Sequence, residues 1–152
     1  MRYFPAPVTA AEAERYLDGV DRHFDQYGYG LWAVHHQEDC IGFVKVSRVT
    51  AQSPIMDQPE IGWRFATRAW GQGFASEAAD AVMRYMFTAT NEQQIVSCTT
   101  EKNLPSEKVM QRIGMKRRVD LDFDHPQLTG WWGARHIVYS LQKDEYQSVF
   151  GL

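Results

Sequence analysis

Apolar positions recur along the chain with two periods, and the switches between them predict the elements. Ala13, Tyr16, Leu17, Val20 and Phe24 repeat at helical spacing. Thr9, with Glu12 three residues later, makes a capping-box pattern just ahead of them. One helix is therefore expected from Thr9 to about Gln26, broken by Gly28 and Gly30. Leu31–His36 and residues 40–46 read as strands joined by a polar turn at 37–39, hence a hairpin. Residues 50–59 read as a loop and 60–66 as a third strand. A helix over about 74–88 presents Ala75, Ala78, Ala79, Val82, Met83 and Met86 as a broad apolar face. Residues 95–100 form a buried strand. Residues 105–113 form a short helix with Pro105 in its first turn and Gly114 as its C-terminal cap. Two last strands, 116–123 and 135–142, flank a loop containing Pro, Gly and Trp. This order predicts an α/β domain whose central sheet mixes antiparallel and parallel neighbours between flanking helices.

The composition supports one such domain and narrows its function. A chain of 152 residues, 44 % apolar and 23 % charged, can bury a full core and is not disordered. The formal net charge is −3, and Lys and Arg are scattered apart from a short run at 116–118, which argues against nucleic-acid binding through a basic face. Cys40 and Cys98 fall in apolar strand-like stretches and read as buried free thiols, as in a reducing cytoplasm. No signal-peptide pattern, repeat or apolar run long enough to span a bilayer is present, so a cytoplasmic protein without membrane contact is expected.

The stretch RAWGQGFASEAA at 68–79 carries the chemistry. Glycine inside a helix costs about 1 kcal/mol relative to alanine, so Gly71 and Gly73 belong before the helix rather than in it. A strand, a Gly-x-Gly turn and a helix N-terminus together offer unpaired N–H groups and a favourable dipole to an anion. A tight turn without a ligand is the competing reading. A Walker loop is excluded because no Lys-Ser or Lys-Thr follows. The dinucleotide fingerprint is excluded because position 76 is Ser rather than a third glycine.

Arg68-x-x-Gly71-x-Gly73 resembles the pyrophosphate loop of the GNAT superfamily of N-acetyltransferases. The segments EIGWRF, WGQGFASEAADAVMRYMF, NLPSEKVMQRIGM and DFDHPQL…RHIVYSL resemble, in order, the branch that includes the ribosomal-protein N-acetyltransferases. The resemblance covers residues 1 to about 146. It implies a GNAT fold in which acetyl-CoA lies between the strands at 60–66 and 95–100. The main chain of Trp63, Phe65 and Ala66 would then pair with pantetheine, and Arg68, Gly71, Gln72, Gly73, Phe74 and Ala75 would form the pyrophosphate loop. Asn103 and Ser106 match the Asn-x-x-Ser that faces the sulfur end. Met110 occupies the place of a tyrosine acid common in the superfamily and has no proton to donate, which leaves Ser106, or a water it holds, as the candidate acid. Glu60 is the candidate base, or else a solvent-exposed strand end.

The implied activity is transfer of acetyl from acetyl-CoA to a primary amine, on a protein N-terminus or a small molecule, by direct attack in a ternary complex. A non-catalytic acyl-CoA-binding module is the alternative. Relatives in this branch open with a strand and helix ahead of the segment that begins here with Met1, Arg2, Tyr3 and Phe4. The domain is thus expected to lack the usual first strand and first helix, leaving 31–36 with an open edge: either Met1 is an internal methionine of a longer native chain, the favoured account, or another subunit covers the edge, and the 152-residue form is expected to self-associate as a homodimer. His35 and His36 point to opposite faces of a strand and predict no metal site. Asp120, Asp122 and Asp124 alternate, so one strand face would carry all three, as a solvated face or as a collar for a cationic amine. The resemblance implies that the loop with Trp131 and Trp132, and with Phe123 and His125 bordering it, flanks the acceptor mouth; packing onto the sheet or a dimer contact is the equal alternative. Trp70, Phe74 and Glu77 read as structural: two packing aromatics and a carboxylate on a helix dipole.

Overall fold

The computed structural model describes Tyr3 and residues 5–150; Met1, Arg2 and Phe4 lie outside the described residues. The predicted first helix is two helices, α1 (Ala10–Leu17) and α2 (Val20–Tyr27). The capping box at Thr9 and Glu12 is formed as expected. The break comes at Asp18 and Gly19, where the Gly19 N–H turns back to the Tyr16 carbonyl at 3.2 Å. Gly28, at φ 75°, closes α2.

Strands β1 (Leu31–His36), β2 (Asp39–Arg48) and β3 (Pro59–Phe65) form an antiparallel meander. Helix α3 (Phe74–Ala89) returns the chain to β4 (Gln94–Thr100), which lies parallel to β3. Helix α4 (Leu104–Arg112) and a broken stretch lead to β7 (Arg135–Gln142), antiparallel to β4. Two short pieces, β5 (Lys116–Arg117) and β6 (Phe123–Asp124), also pair with β7. The strand order β1-β2-β3-β4-β7-β5 leaves β1 on an edge. This is the expected mixed α/β architecture, with a mostly antiparallel sheet between helices.

Alternation along the strands sends residues to two cores. Val44, Val46, Ile61, Ile95, Ile137, Tyr139 and Leu141 meet Ala79, Met83 and Met86 of α3 and Met110 of α4 in the larger one. Val96, Val138, Phe123 and Ile55 form a smaller cluster on the opposite face.

Three further expectations are corrected. The predicted strand 116–123 is interrupted by a turn of 3₁₀ helix at Val119–Leu121. There the Asp122 carboxylate accepts the Val138 N–H at 3.1 Å, replacing a strand carbonyl, and also holds the Arg117 guanidinium at 2.6 Å. Asp120, Asp122 and Asp124 consequently form no common strand face: they pair with Arg118, Arg117 and Arg135 respectively. Cys40 is exposed rather than buried, because it lies at the hairpin end of β2. The structure also adds α5 (Lys143–Phe150), which inserts Tyr146 against Phe87 with ring centroids 5.3 Å apart.

Candidate active site

The parallel strands β3 and β4 are joined at the start of β3, where Glu60 is in register with Val96. One step further, the Ser97 hydroxyl donates to the Ile61 carbonyl at 2.8 Å. Among the described residues no later register pair joins the two strands, so the polar backbone of Trp63–Phe65 is not paired toward β4. A cleft of about 760 Å³ opens there. Trp63 and Phe65 supply its strand wall, Gly71, Gly73, Phe74 and Ala75 its loop wall, and Asn103, Ser106 and Val109 its α4 wall.

Gly71 and Gly73 have φ values of 75° and 88°, backbone that side chains rarely adopt, and a Cβ at either would meet nothing within 4 Å. The turn thus requires glycine for its path and keeps space in front of it. Gly73 is the N-cap of α3 and supplies no side-chain cap, whereas α1 and α4 are capped by Thr9 and Asn103. The first amides of α3 therefore keep their donor capacity and face the cleft with the positive end of the helix dipole. The wall carries Arg64, Lys102, Lys108 and Arg112 and no carboxylate, in a chain of net charge −3. An open glycine turn, free amides and a cationic wall fit a ligand that carries several phosphates.

Side chains brace the loop from behind. The Trp70 indole donates to the Phe65 carbonyl at 2.9 Å, and the Gln72 amide donates to the Arg68 carbonyl at 2.8 Å. Arg68 turns away from the cleft, toward Asp39 at 3.6 Å and the Cys40 carbonyl at 3.4 Å. Glu60, Ala66, Arg68 and Gln72 do not line the cleft, whereas Trp63, Phe65, Gly71, Gly73, Phe74 and Ala75 do.

At the start of α4 the Asn103 carbonyl accepts the Ser106 N–H at 3.4 Å, and its amide donates to the Ser106 hydroxyl at 3.0 Å and the Thr99 hydroxyl at 2.9 Å. Ser106 Oγ is thus held as an acceptor, leaving its own proton to donate into the cleft. Met110 is wholly buried in the larger core and takes no part.

Glu60 lies on the sheet face opposite α3, where its Oε1 accepts the Cys98 thiol at 3.0 Å. Burial and the Glu60 charge push the Cys98 thiol well above its ordinary range. Across this face His136 Nδ1 meets the Ala134 carbonyl at 2.9 Å, so that nitrogen carries the proton. His125 Nδ1 instead accepts the Gln127 N–H at 3.3 Å. Burial and neighbouring His136 lower the His125 pKa, with the Glu60 charge opposing them. His136 had no signal in the sequence pattern, because its place beside Phe123 and His125 depends on the pairing of β6 with β7. Trp132 is about half exposed, and the Lys102 ammonium lies 5.2 Å from its ring centroid. No group of His, Cys, Asp and Glu among the described residues could hold a metal ion, and no helix among them is long and apolar enough to cross a membrane.

Comparison with known proteins shows the family and the fold. Residues 1–116 match the model of the acetyltransferase (GNAT) domain. The chain is 34 % identical over 147 residues to the uncharacterized N-acetyltransferase YnaD of Bacillus subtilis (strain 168), covering 96 % of this chain and 82 % of that protein. Its fold is similar to the ribosomal-protein-S5-alanine acetyltransferase from Vibrio fischeri, with a TM-score of 0.74, 20 % identity, and coverage of 95 % of this chain and 80 % of that one. It is also similar to Mycobacterium smegmatis RimJ in complex with CoA-disulfide, with a TM-score of 0.70, 15 % identity, and coverage of 96 % and 76 %. The chain belongs to the GNAT family and is an acetyltransferase.

Proposed function

We propose that the cleft between β3 and β4 binds acetyl-CoA and that the enzyme transfers the acetyl group directly to a primary amine, either a protein N-terminal α-amine or a small-molecule amine. The observation that carries this reading is the uncapped N-terminus of α3 behind an open glycine turn, facing a wall with cations and no carboxylate. When bound, acetyl-CoA supplies the thioester carbonyl as electrophile and a thiolate as leaving group.

The chain's own residues divide the remaining work. The amides at Phe74 and Ala75 bind the pyrophosphate, and the edge of Trp63–Phe65 that is not paired with β4, on which the Phe65 carbonyl also accepts the Trp70 indole, binds pantetheine as an added strand would. Ser106, oriented by Asn103, donates its hydroxyl proton toward the sulfur. Glu60 takes a proton from the amine, directly or through water. An α-amine, with a pKa of about 7.7–8.0, needs less help than a lysine at about 10.4. Neither cysteine acts as nucleophile: Cys40 is exposed at the hairpin end, and Cys98 is held protonated.

A second reading, a CoA-binding module without catalysis, is favoured by the buried Met110, which cannot act as an acid. Release of free thiol from acetyl-CoA, followed with peptide α-amines, lysine side chains and polyamines, separates the two. Amine-dependent release supports transfer, whereas binding without release by any amine supports the module. The reading also includes a homodimer formed through the edge of β1.

A further inference from the structure

The cationic residues of the cleft are unevenly placed. Lys108 and Arg112 stand four apart on α4, hence on one helix face, and both line the cleft. Arg112 lies about 9 Å along the helix axis from Ser106, at the end away from the proposed sulfur site. Both side chains are exposed, and neither has an ion-pair partner among the described residues. A pyrophosphate at the N-terminus of α3 is already served by backbone amides and the dipole, so this pair is surplus to that group.

We propose that Lys108 and Arg112 form a subsite for the 3′-phosphate of the CoA adenosine and make binding selective for CoA over dephospho-CoA. The inference rests on the reading of the cleft as a CoA site. A phosphomonoester carries close to two negative charges at neutral pH and presents three acceptor oxygens. Arg112 offers a planar fork of donors and Lys108 a mobile point charge, a pairing suited to that group. Lys102 is engaged over the Trp132 ring and is left to the rim.

Calorimetry with CoA and dephospho-CoA, on the wild type and on a Lys108→Met/Arg112→Met double variant, tests this. Both positions are exposed, so the variant is expected to fold, with circular dichroism as the check. The wild type should bind CoA about tenfold or more tightly than dephospho-CoA, in line with charge-assisted hydrogen bonds. The variant should lose most of that gap while its affinity for dephospho-CoA changes less than about twofold. Raising the salt concentration should narrow the gap in the wild type. Equal binding of both ligands by the wild type, or equal weakening of both in the variant, would overturn the subsite and leave the CoA reading standing. Failure of the wild type to bind either ligand would remove both.

Discussion

The Cys98 thiol donates to the Glu60 carboxylate at 3.0 Å, across the parallel junction of β3 and β4 and on the face opposite α3. The thiol fixes one oxygen of the carboxylate and leaves the other for a proton from outside. It also ties Glu60 to the point beyond which the two strands cease to pair.

Glu60→Gln should therefore lower the rate of acetyl transfer mainly at acidic pH, where the amine acceptor is protonated and a base is most needed. The pH profile of kcat/KM checks this. A loss of the same size at every pH would assign Glu60 a positioning role instead.

The same contact predicts how the thiols react. Cys40 is exposed, whereas Cys98 is partly buried beside a carboxylate that opposes its ionisation. Alkylation followed by mass spectrometry should label Cys40 at least about tenfold faster than Cys98 at pH 8. Glu60→Gln should speed the labelling of Cys98 by removing the opposing charge.

Gly73→Val should weaken acetyl-CoA binding by about tenfold or more while leaving the fold intact. The branched side chain would fill the open space before the α3 amides and would sit at φ 88°, where it is strained. Calorimetry reads the affinity and a melting curve reads the fold. Unchanged affinity would place the phosphates elsewhere.

Asp122→Asn should cost about 2 kcal/mol, since it breaks a charge-assisted pair on a carboxylate whose side chain is only 8 % exposed. The Arg117 hydrogen bond lowers the Asp122 pKa from its ordinary carboxylate range. Its contribution is fully present above the unfolded value of about 3.9 and is lost as pH falls through the folded value. Urea unfolding at pH 7 should show the full gap between wild type and variant, and the gap should narrow as the pH falls below about 4.

Asp122 also shows where the sequence stops being legible. Short-range signals could be read directly: the Thr9–Glu12 box, the alternation of β3, and the glycines ahead of α3 all act within a few residues. The break in the strand at 116–123 is decided by the Val138 N–H, sixteen residues away from the carboxylate that accepts it. Helix α5 gave little pattern, because Tyr146 makes its principal buried contact and charged residues surround it. The direction of Arg68 depends on Asp39 and Cys40 at the β1–β2 turn, which no local spacing encodes. Glu60, Asn103 and Ser106 could be named from motif positions, but their mutual orientation comes from strand register and from the cap of α4.

Among the described residues β1 pairs only with β2, so its outer row of N–H and C=O groups has no strand partner. Beside it runs an apolar groove of about 340 Å³ lined by Trp32, Ala33, Val34, Val82 and Tyr85. An unpaired edge next to apolar surface is a template for another strand. A second copy of β1, placed antiparallel across a two-fold axis, satisfies both rows at once and covers both grooves. The 152-residue protein should therefore self-associate as a dimer, with a scattering mass that rises toward twice the monomer as concentration increases. Ala33 is exposed on this edge, so Ala33→Lys should place like charges near the axis and shift the equilibrium toward monomer without disturbing the core. Light scattering of both proteins over a hundredfold range of concentration decides it. A wild type that stays monomeric throughout would remove the β1 interface, and a dimer unaffected by Ala33→Lys would place the contact on another surface.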